Sequence, residues 1–540
     1  MSLPKDSLQG SLFGVWAFAG ELFDRNNRYR IFREKILPQI FKARNELCSM
    51  YCRGNGRPAI EPVIMAGVTL LQFMEKAPDT KAVENVKMHL GWKYALELDL
   101  DHNGFHATSL VKFRDRLLES ESERLMFDAI LDGLREAGLV RKKSKQRLDS
   151  THILGCVSRM SRLEVVRETI RLFLEEAGRQ GKVANIDDWE TLRLRYIDSD
   201  IAWHRLSKDD LNDKFNQAGT DVLNLLRWVR IQDISLRDND KSMLLERVFL
   251  EQYELSAGGT SKREVERSGT MKNPHDPDVQ WAAKDLAKNT QWCGYKLQLA
   301  ETVPEDGSAR KKGQPTEQFI TESITTEAIA SDVAGLRTVL EAQAKHHKDQ
   351  PSEIYVDAGY VTDDTMADAR DKGYGLTGPA RPAGNAANND FDATHFNVDV
   401  KNRKAVCPAG HESKQCSLIN DSYNGSIYYR FEWAGLCDDC PSRKRCTRSK
   451  NGRRLLSVGP HHDLLQKRRQ EMQTEEFKKR MHQRNAIEGS ISEFTRLGGR
   501  RTRYKGQAKT RLANYFLACA LNANRWIRLS NWQIEHRKAA

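Results

Sequence analysis

The stretch KQRLDSTHIL, residues 145–154, most constrains what this chain can fold into. A basic run, Arg141-Lys142-Lys143-Ser144-Lys145, leads into Leu148-Asp149-Ser150-Thr151, and the chain then turns apolar. Strand side chains alternate faces, so Asp149 and Thr151 point one way and Leu148 and Ser150 the other. A single acid in this setting reads as a turn or an edge-strand charge. Two further acids change that reading. Asp357 lies in EIYVDAGY, a second apolar strand ending in an acid and then Ala-Gly. Glu488 lies in KKRMHQRNAIEGSISEF, which reads as a helix. Two acids on strands and one on a later helix form a constellation that can hold two divalent cations.

At 540 residues the chain has length for more than one domain and for sizeable cores. Apolar residues at 39% and charged residues at 30% describe a soluble protein without collagen-like or low-complexity character. No window approaches 18 consecutive apolar residues, so no transmembrane helix and no membrane partner are expected. The early run LFGVWAFAGELF is short, broken by Gly and Glu, and preceded by one Lys, unlike a signal peptide. The expected location is the cytoplasm.

The charge is unevenly placed. Residues 441–540 hold 25 Lys or Arg against 7 Asp or Glu, a balance of +18. The whole chain is +12, so the first 440 residues together carry −6. Concentrated basicity of this kind is a footprint for phosphate, and the tail also has apolar periodicity, unlike a disordered arm. Nucleic acid is the favoured partner. Basic tails on ribosomal or membrane-surface proteins are the competing explanation.

Residues 1–26 look like a leader, and residues 27–140 read as helices. Among these are 62–75, entered at Gly56-Arg57-Pro58, then 80–98 and 106–120, each with helical spacing of apolar residues. Ser109, Lys112, Arg114 and Arg116 form either a DNA-facing basic face or a solvated one. After the Asp149 strand the pattern is helical for about a hundred residues without catalytic spacing. From Ser256 to Asp278 the composition is that of a linker or exposed loop. Residues 294–302 and 319–326 alternate as an antiparallel strand pair joined by a polar Gly-Pro-containing loop. A helix over 331–346, the Asp357 strand and a further strand over 374–380 follow. With two insertions removed, the order is that of an RNase H-like α/β core.

The expected organisation is an all-α N-terminal domain over 1–140 for DNA binding or dimerisation, the first core strand over 141–159, and a helical insertion over 160–270. The RNase H-like core then covers 271–380. A cysteine-rich β insertion covers 381–465, and the Glu488 helix with a basic C-terminal region covers 466–540.

The second insertion holds most of the cysteine signal. Cys437 and Cys440 form a CxxC, Cys446 follows, and Cys407 lies thirty residues earlier. Four thiolates in two separated groups suit a tetrahedral structural zinc. His411 and Cys416 are the substitute ligands. A redox CxxC lacks its usual βαβ context here, and a disulfide framework is not expected in the cytoplasm. Cys48 and Cys52, one helical turn apart, read as core residues.

Towards the C-terminus, Arg484 and Glu488 are four apart on one helix face, the spacing of a plain helix salt bridge. Yet Arg496, the Gly498-Gly499 break, Arg500, Arg501, Arg503 and Lys505 follow closely, with Tyr504 among them. That crowds cations beside the third carboxylate. The final KTRLANYFLACALNANRWIRL returns to an amphipathic helix.

These residues together resemble bacterial insertion-sequence transposases of the DDE class, which share the RNase H-like fold of retroviral integrases. The resemblance runs from about residue 40 to 530. It is carried by GRPAIEPVIMAGVTLLQF, WKYALELDLD, HATSLVKFRDRL, DPDVQWAAK with GYKLQLAET, VDAGY, and RNAIEGSISEFTRLGGRRTRYKG. The cysteine insertion resembles one found in a subgroup. Relatives often carry Tyr three before the Arg and Lys seven after the Glu; here Met481 and Thr495 stand there, with Arg496 one step later.

The resemblance implies a transposase that cuts transposon ends and joins the 3′-OH ends to target DNA. It implies two Mg²⁺ or Mn²⁺ ions, bridged by Asp149 and held further by Asp357 and Glu488. Arg484 would meet phosphate beside the metals, and Arg496, Arg500, Arg501, Arg503 and Lys505 would track the DNA backbone. The expected partners are double-stranded DNA and a second copy of the chain, in a nucleoid-associated setting. His152 is read as a structural neighbour, and Asp276 and Asp278 as rival carboxylates in a loop. The alternatives are an RNase H-like nuclease or resolvase without strand transfer, and a non-catalytic zinc-containing DNA-binding protein.

Overall fold

The computed structural model describes residues 3, 14–52, 54, 56, 58–183, 186–199, 206–232, 234–256, 259–285, 290–304, 313–383, 391–421, 425–447, 449 and 451–537. Most of the first half of the expected leader, Arg57 and part of the Gly-Pro-containing loop lie outside the described residues.

Among them is a six-stranded mixed sheet. Its strands are β1 (Lys145–Leu154), β2 (Gln280–Asp285), β3 (Thr290–Thr302), β4 (Ile320–Glu327), β5 (Glu353–Tyr355) and β6 (Gly375–Thr377). The hydrogen-bonded order is β2-β3-β1-β5-β6, with β4 also on β3. β1 and β4 run antiparallel to β3, whereas β5 is parallel to β1 and β6 is parallel to β5. Register sets the faces: Asp149 pairs with Leu299 and Arg147 with Glu301, while Leu148 pairs with Ala300. Leu299 belongs to one apolar core and Leu148 and Ala300 to another, so the alternation in β1 does sort its residues between two sides.

Helices cover both sides. On the N-terminal side are α1 (Pro62–Glu75), α2 (Asp79–Met88), α3 (Thr108–Glu119) and α4 (Leu125–Glu136). The core helices are α5 (Asp332–His347), α6 (Asp363–Lys372), α7 (His462–Glu471), α8 (Glu475–Phe494) and α9 (Gln507–Arg537). α1, α4 and α9 enclose Leu297 and Leu299 in one continuous core, in which Phe73 stacks on Phe516 with centroids 5.4 Å apart. Arg124 at the entrance of α4 donates to the fully buried Glu322 of β4 at 2.9 Å and to Tyr515 Oη at 3.2 Å. The N-terminal helices are therefore packed into the same core as the sheet. α5 and α6 cover the other side around Leu336, Val339 and Ala369.

The helices and strands expected from periodicity mostly recur with shifted ends, and the differences have local causes. The stretch 80–98 breaks at His89, whose extended backbone and ring cap Trp92 N at 3.2 Å and start a separate turn, Leu90–Ala95. The linker-like stretch after Ser256 in fact begins with a hairpin, Tyr253–Ser256 against Gly259–Lys262. β2 and α6 were not expected; α6 is started by a Thr362–Thr365 capping box and ended by Gly373 at φ 74°. Arg114 does not face solvent. It is buried, paired with Asp79 and stacked 5.6 Å from the Tyr504 ring. Arg116 lies 4.6 Å from the Tyr51 ring. Half of the expected basic face is thus spent on internal contacts.

Between β1 and β2 the chain forms helices Arg162–Arg179, Lys208–Gln232 and Asp240–Gln252 around their own core, including Val166, Phe173, Val222 and Leu245. Ser161 caps the first of these with a complete capping box.

A buried ionic network ties α8 and α9 to the sheet. Arg147 Nε donates to Glu301 Oε1 at 2.6 Å, its Nη1 to the Gln483 carbonyl at 2.8 Å, and its Nη2 to Gln318 Oε1 at 2.6 Å. Ser490 Oγ and Arg525 Nη1 donate to Glu301 Oε2 at 2.5 and 3.0 Å. Arg525 also donates to Ser490 Oγ at 2.6 Å and to Glu493. Arg147, Glu301, Ser490 and Arg525 are all at most 4% exposed.

Two outcomes follow for stability. Glu301→Ala leaves two guanidinium groups buried without their shared carboxylate and should cost about 3–5 kcal/mol in urea denaturation. Phe173→Ala should cost about 3–5 kcal/mol by opening a cavity in the insertion core. Hydrogen exchange should then accelerate in 162–252 while β1 and α9 keep their protection, because the two cores are separate.

Candidate active site

Asp149 stands mid-way along β1 with its carboxyl largely buried. The Arg484 Nη2 donates to Oδ2 at 2.7 Å, and the Ser150 amide to Oδ1 at 2.8 Å. Burial pushes the Asp149 carboxyl above the usual aspartate range. The Arg484 guanidinium and the Ser150 amide pull it down, and the charges of Asp357 and Asp332 push it up again. Asp149 is thus a carboxylate in which desolvation and two neighbouring acids together outweigh one arginine.

Asp357 does not lie within its strand. β5 ends at Tyr355, and Asp357 opens the turn that follows, its Oδ1 accepting from Gly359 N at 2.7 Å. Gly359 is required by space: a Cβ there would stand 2.5 Å from Asp332 Oδ2 and 2.9 Å from Asp357 Oδ1. The glycine in VDAGY lets two carboxylates crowd one turn.

Asp332 is the residue that sequence reasoning missed. It occupies the first position of α5, accepts from Ser150 Oγ at 3.1 Å and pairs with Lys296 Nζ at 2.6 Å. Its only sequence signal was an acid following a Ser N-cap, which thousands of ordinary helices share. Tyr360 lies against the same group, donating to Gln298 Oε1 at 2.6 Å, and burial with the acids nearby pushes its phenol far up.

Glu488 comes to this group through α8. Thr474 caps that helix, its hydroxyl oxygen accepting from Phe477 N at 3.2 Å. Ile487, Ser490 and Phe494 form the buried face of α8. Along its length α8 crosses the sheet: Arg480 pairs with Glu353 of β5 and donates to Thr377 of β6 at 2.8 Å, Arg484 reaches Asp149, and Ser490 reaches Glu301. Glu488 itself faces outwards, its side chain 73% exposed and 4.0 Å from Arg484 Nη1. Asp149, Asp357 and Asp332 are therefore brought together, and Arg484 stands between Asp149 and Glu488. Among the described residues no three His, Cys, Asp or Glu side chains stand at metal-holding spacing.

The cations following Glu488 gather at the end of β1. Arg496, Arg500, Arg501, Arg503 and Lys505 are all exposed. Arg500 O accepts from Leu154 N and Leu154 O from Thr502 N, both at 2.9 Å, so this segment runs alongside the strand that carries Asp149. Arg500 Nη1 donates to the His152 carbonyl at 3.0 Å. The turn that delivers it needs Gly498 at φ 103°, and a Cβ on Gly499 would meet the Phe494 ring at 2.0 Å. His152 stacks on Trp292 with centroids 5.1 Å apart, and burial lowers its imidazole.

Asp276 and Asp278 are engaged elsewhere. Asp276 is buried and accepts from Gly506 N at 3.1 Å and Tyr295 Oη at 3.3 Å, and Asp278 accepts from Gln507 N at 2.8 Å. They anchor the start of α9. Cys407, Cys437, Cys440 and Cys446 line one small pocket in the second insertion together with His411; Cys416 is not among the lining residues.

Two family models match the chain. One, described as a transposase DDE domain, covers residues 406–527, and the other, a transposase domain, covers residues 18–116. The first takes in the cysteine pocket, Arg484, Glu488 and the cation cluster; the second takes in α1 to α3. No curated protein and no solved structure matches. With one transposase-domain model matched by its N-terminal helices and the DDE-domain model matched by the segment carrying Arg484 and Glu488, the comparisons support an insertion-sequence transposase of the DDE class.

Proposed function

We propose that Asp149, Asp357 and Glu488 form the catalytic triad of a transposase that cuts DNA at transposon ends and joins the freed 3′-OH to target DNA. The single observation that carries this reading is the position of Arg484. In the absence of other cations, its guanidinium neutralises Asp149 and lies 4.0 Å from Glu488. A cation between the first and third carboxylates is what a metal site requires, and here the chain supplies one of its own. The sheet supports the same reading: β4-β3-β1 antiparallel, continued by parallel β5 and β6, fits the strand order expected of an RNase H-like core, with Asp149 mid-way along β1 and Asp357 just past β5.

The donor set fits hard divalent ions such as Mg²⁺ or Mn²⁺, because every proposed ligand is a carboxylate oxygen. Bound there, two such ions would supply Lewis-acid stabilisation for an in-line displacement at phosphorus. The chain's own residues do the remaining work. Asp332, fixed by Lys296 and Ser150, adds negative charge behind Asp149 and Asp357 and so favours a cation in front of them. Arg484, once Asp149 has another partner, is free to pair with the phosphate being cut. Arg496, Arg500, Arg501, Arg503 and Lys505 form a phosphate track along the end of β1.

In the first reaction water forms a bond to phosphorus, the P–O3′ bond breaks, and the oxygen leaves as the 3′-OH of the transposon end. In the second that 3′-OH forms the new P–O bond and displaces a 3′-OH of the target strand. Both are the same displacement with different nucleophiles, which is why one site suffices. Two ends must meet, so the working form is a homodimer on double-stranded DNA.

End-labelled transposon-end DNA with Mg²⁺ tests the reading. Wild type should cut and join, whereas Asp149→Asn, Asp357→Asn and Glu488→Gln should bind DNA with little change and form no product. Full activity of Glu488→Gln would leave Glu488 as a plain partner of Arg484. Cutting without joining would make the protein a nuclease. For the basic track, Arg501→Ala should weaken binding to all sequences alike and lower the slope of log K against log salt by about one. An unchanged slope in a binding titration would remove Arg501 from the interface.

A further inference from the structure

The second insertion carries a chemistry that DNA cleavage does not use. Between β6 and α7 the chain forms two small sheets, Asn397–Asp399 with Lys404–Val406, and Gln415–Asn420 with Ile427–Glu432 and Leu455–Val458. Its buried core is Phe396, Ala405, Phe431, Trp433, Cys446, Leu456 and Val458. Seven side chains are few for a module of about 70 residues, a size at which natural domains add a covalent or metal staple. None of its cysteines is in a disulfide.

Four thiols of this module line one pocket, and they would have to draw closer to share an ion. Cys407, Cys437, Cys440 and Cys446 come from three separate turns and line one pocket, floored by Trp433 and Leu436. Cys407 closes a Cys-Pro-Ala-Gly turn in which Gly410, at φ 86°, donates its amide to the Cys407 carbonyl at 2.9 Å. Cys437 and Cys440 sit on a second turn, and Cys446 ends the short helix Arg443–Cys446. Cys437 Sγ donates to the Trp433 carbonyl at 3.4 Å.

We infer that Cys407, Cys437, Cys440 and Cys446 bind one structural zinc ion that staples this insertion. The choice among the candidate ligands follows from position. Cys416 lies on the strand paired with Phe431 and does not reach the pocket, so it is not a ligand. His411 lines the pocket, but its carbonyl is already held by Trp433 Nε1 and the Cys407 amide, both at 2.9 Å, and four thiolates complete a tetrahedral set without its ring. Binding releases the thiol protons to solvent and forms four Zn–S bonds, with no change of oxidation state. The site closes all four positions with protein, unlike the carboxylate group at Asp149, so its metal is structural. The inference stands on four cysteines lining one pocket of a module with a small core and no disulfide, and does not depend on which residues cut DNA.

The test uses the full-length protein purified without chelator. Elemental analysis should find one zinc per chain, and Co²⁺ exchanged into the wild type should give the intense visible absorption of tetrahedral thiolate coordination. Cys440→Ser should lose the zinc, Cys416→Ser should keep it, and His411→Ala should keep it with an unchanged Co²⁺ spectrum. A wild-type protein free of stoichiometric metal, or a Cys437–Cys440 disulfide in the mass spectrum, would overturn the proposal. Loss of zinc in Cys416→Ser, or an altered spectrum in His411→Ala, would overturn the ligand assignment. Should Cys440→Ser fail to fold, the Co²⁺ spectrum of the wild type decides alone.

Discussion

The buried carboxylate of Glu301 shared between Arg147 and Arg525 is the interaction on which the rest of the structure depends. Burying three charges is costly, and such a group adds little net stability over apolar residues of equal volume. What it supplies is position. Arg147 reads the Gln483 carbonyl and Arg525 reads Ser490 and Glu493, so both ends of the relevant stretch of α8 are referred to one strand pair. Arg484 and Glu488 lie between those contacts. Any slip of α8 along the sheet would leave at least one buried charge without its partner, a penalty large enough to exclude alternative placements.

With α8 held, the electrostatics of the candidate site follow. The turn after β5 and the start of α5 press Asp357 and Asp332 towards Asp149, and only Gly359 has room between two of them. Like charges at such spacing in a partly desolvated place raise each other's cost. Arg484 offsets part of it for Asp149, and Lys296 does so for Asp332. The arrangement leaves negative charge that the proposed divalent cations would offset. The cations after Gly499, the proposed phosphate contacts, are laid against the end of β1 by backbone pairing with Leu154. Acids and cations meet at one strand because the chain returns to it three hundred and fifty residues later.

Much of this was legible in the sequence, and the reasons are specific. β1 declares itself in the stretch 145–154, which the observed strand spans, inside the wider expected bounds of 141–159. α8 and α9 read as helices from their sequences, and α1 does so by a largely apolar run after Glu61. Asp149 stood out as an acid in a strand after a basic run, Asp357 as an acid ending an apolar strand, and Glu488 as an acid four residues after Arg484 on one helix face. What stayed hidden depended on distant partners. Asp332 looks like any helix-starting acid until Ser150 and Lys296 are seen around it. Arg114 looks like a DNA-facing cation until Asp79 and Tyr504 bury it, and Asp276 looks catalytic until it accepts the Gly506 amide. In α8, spacing puts Arg484 and Glu488 on one face but does not say that Arg484 turns inwards to Asp149 while Glu488 turns out.

Iron-directed backbone cleavage tests the central claim most directly. Fe²⁺ in place of Mg²⁺, with ascorbate and peroxide, generates hydroxyl radicals that cut the chain beside bound metal, and the fragments can be mapped by mass. The account predicts cuts at the turns and strands carrying residues 149 and 357 and near 488, all suppressed by excess Mg²⁺. Cuts confined to the cysteine pocket, or cuts at 149 and 357 with none near 488, would contradict a metal site shared by the three carboxylates.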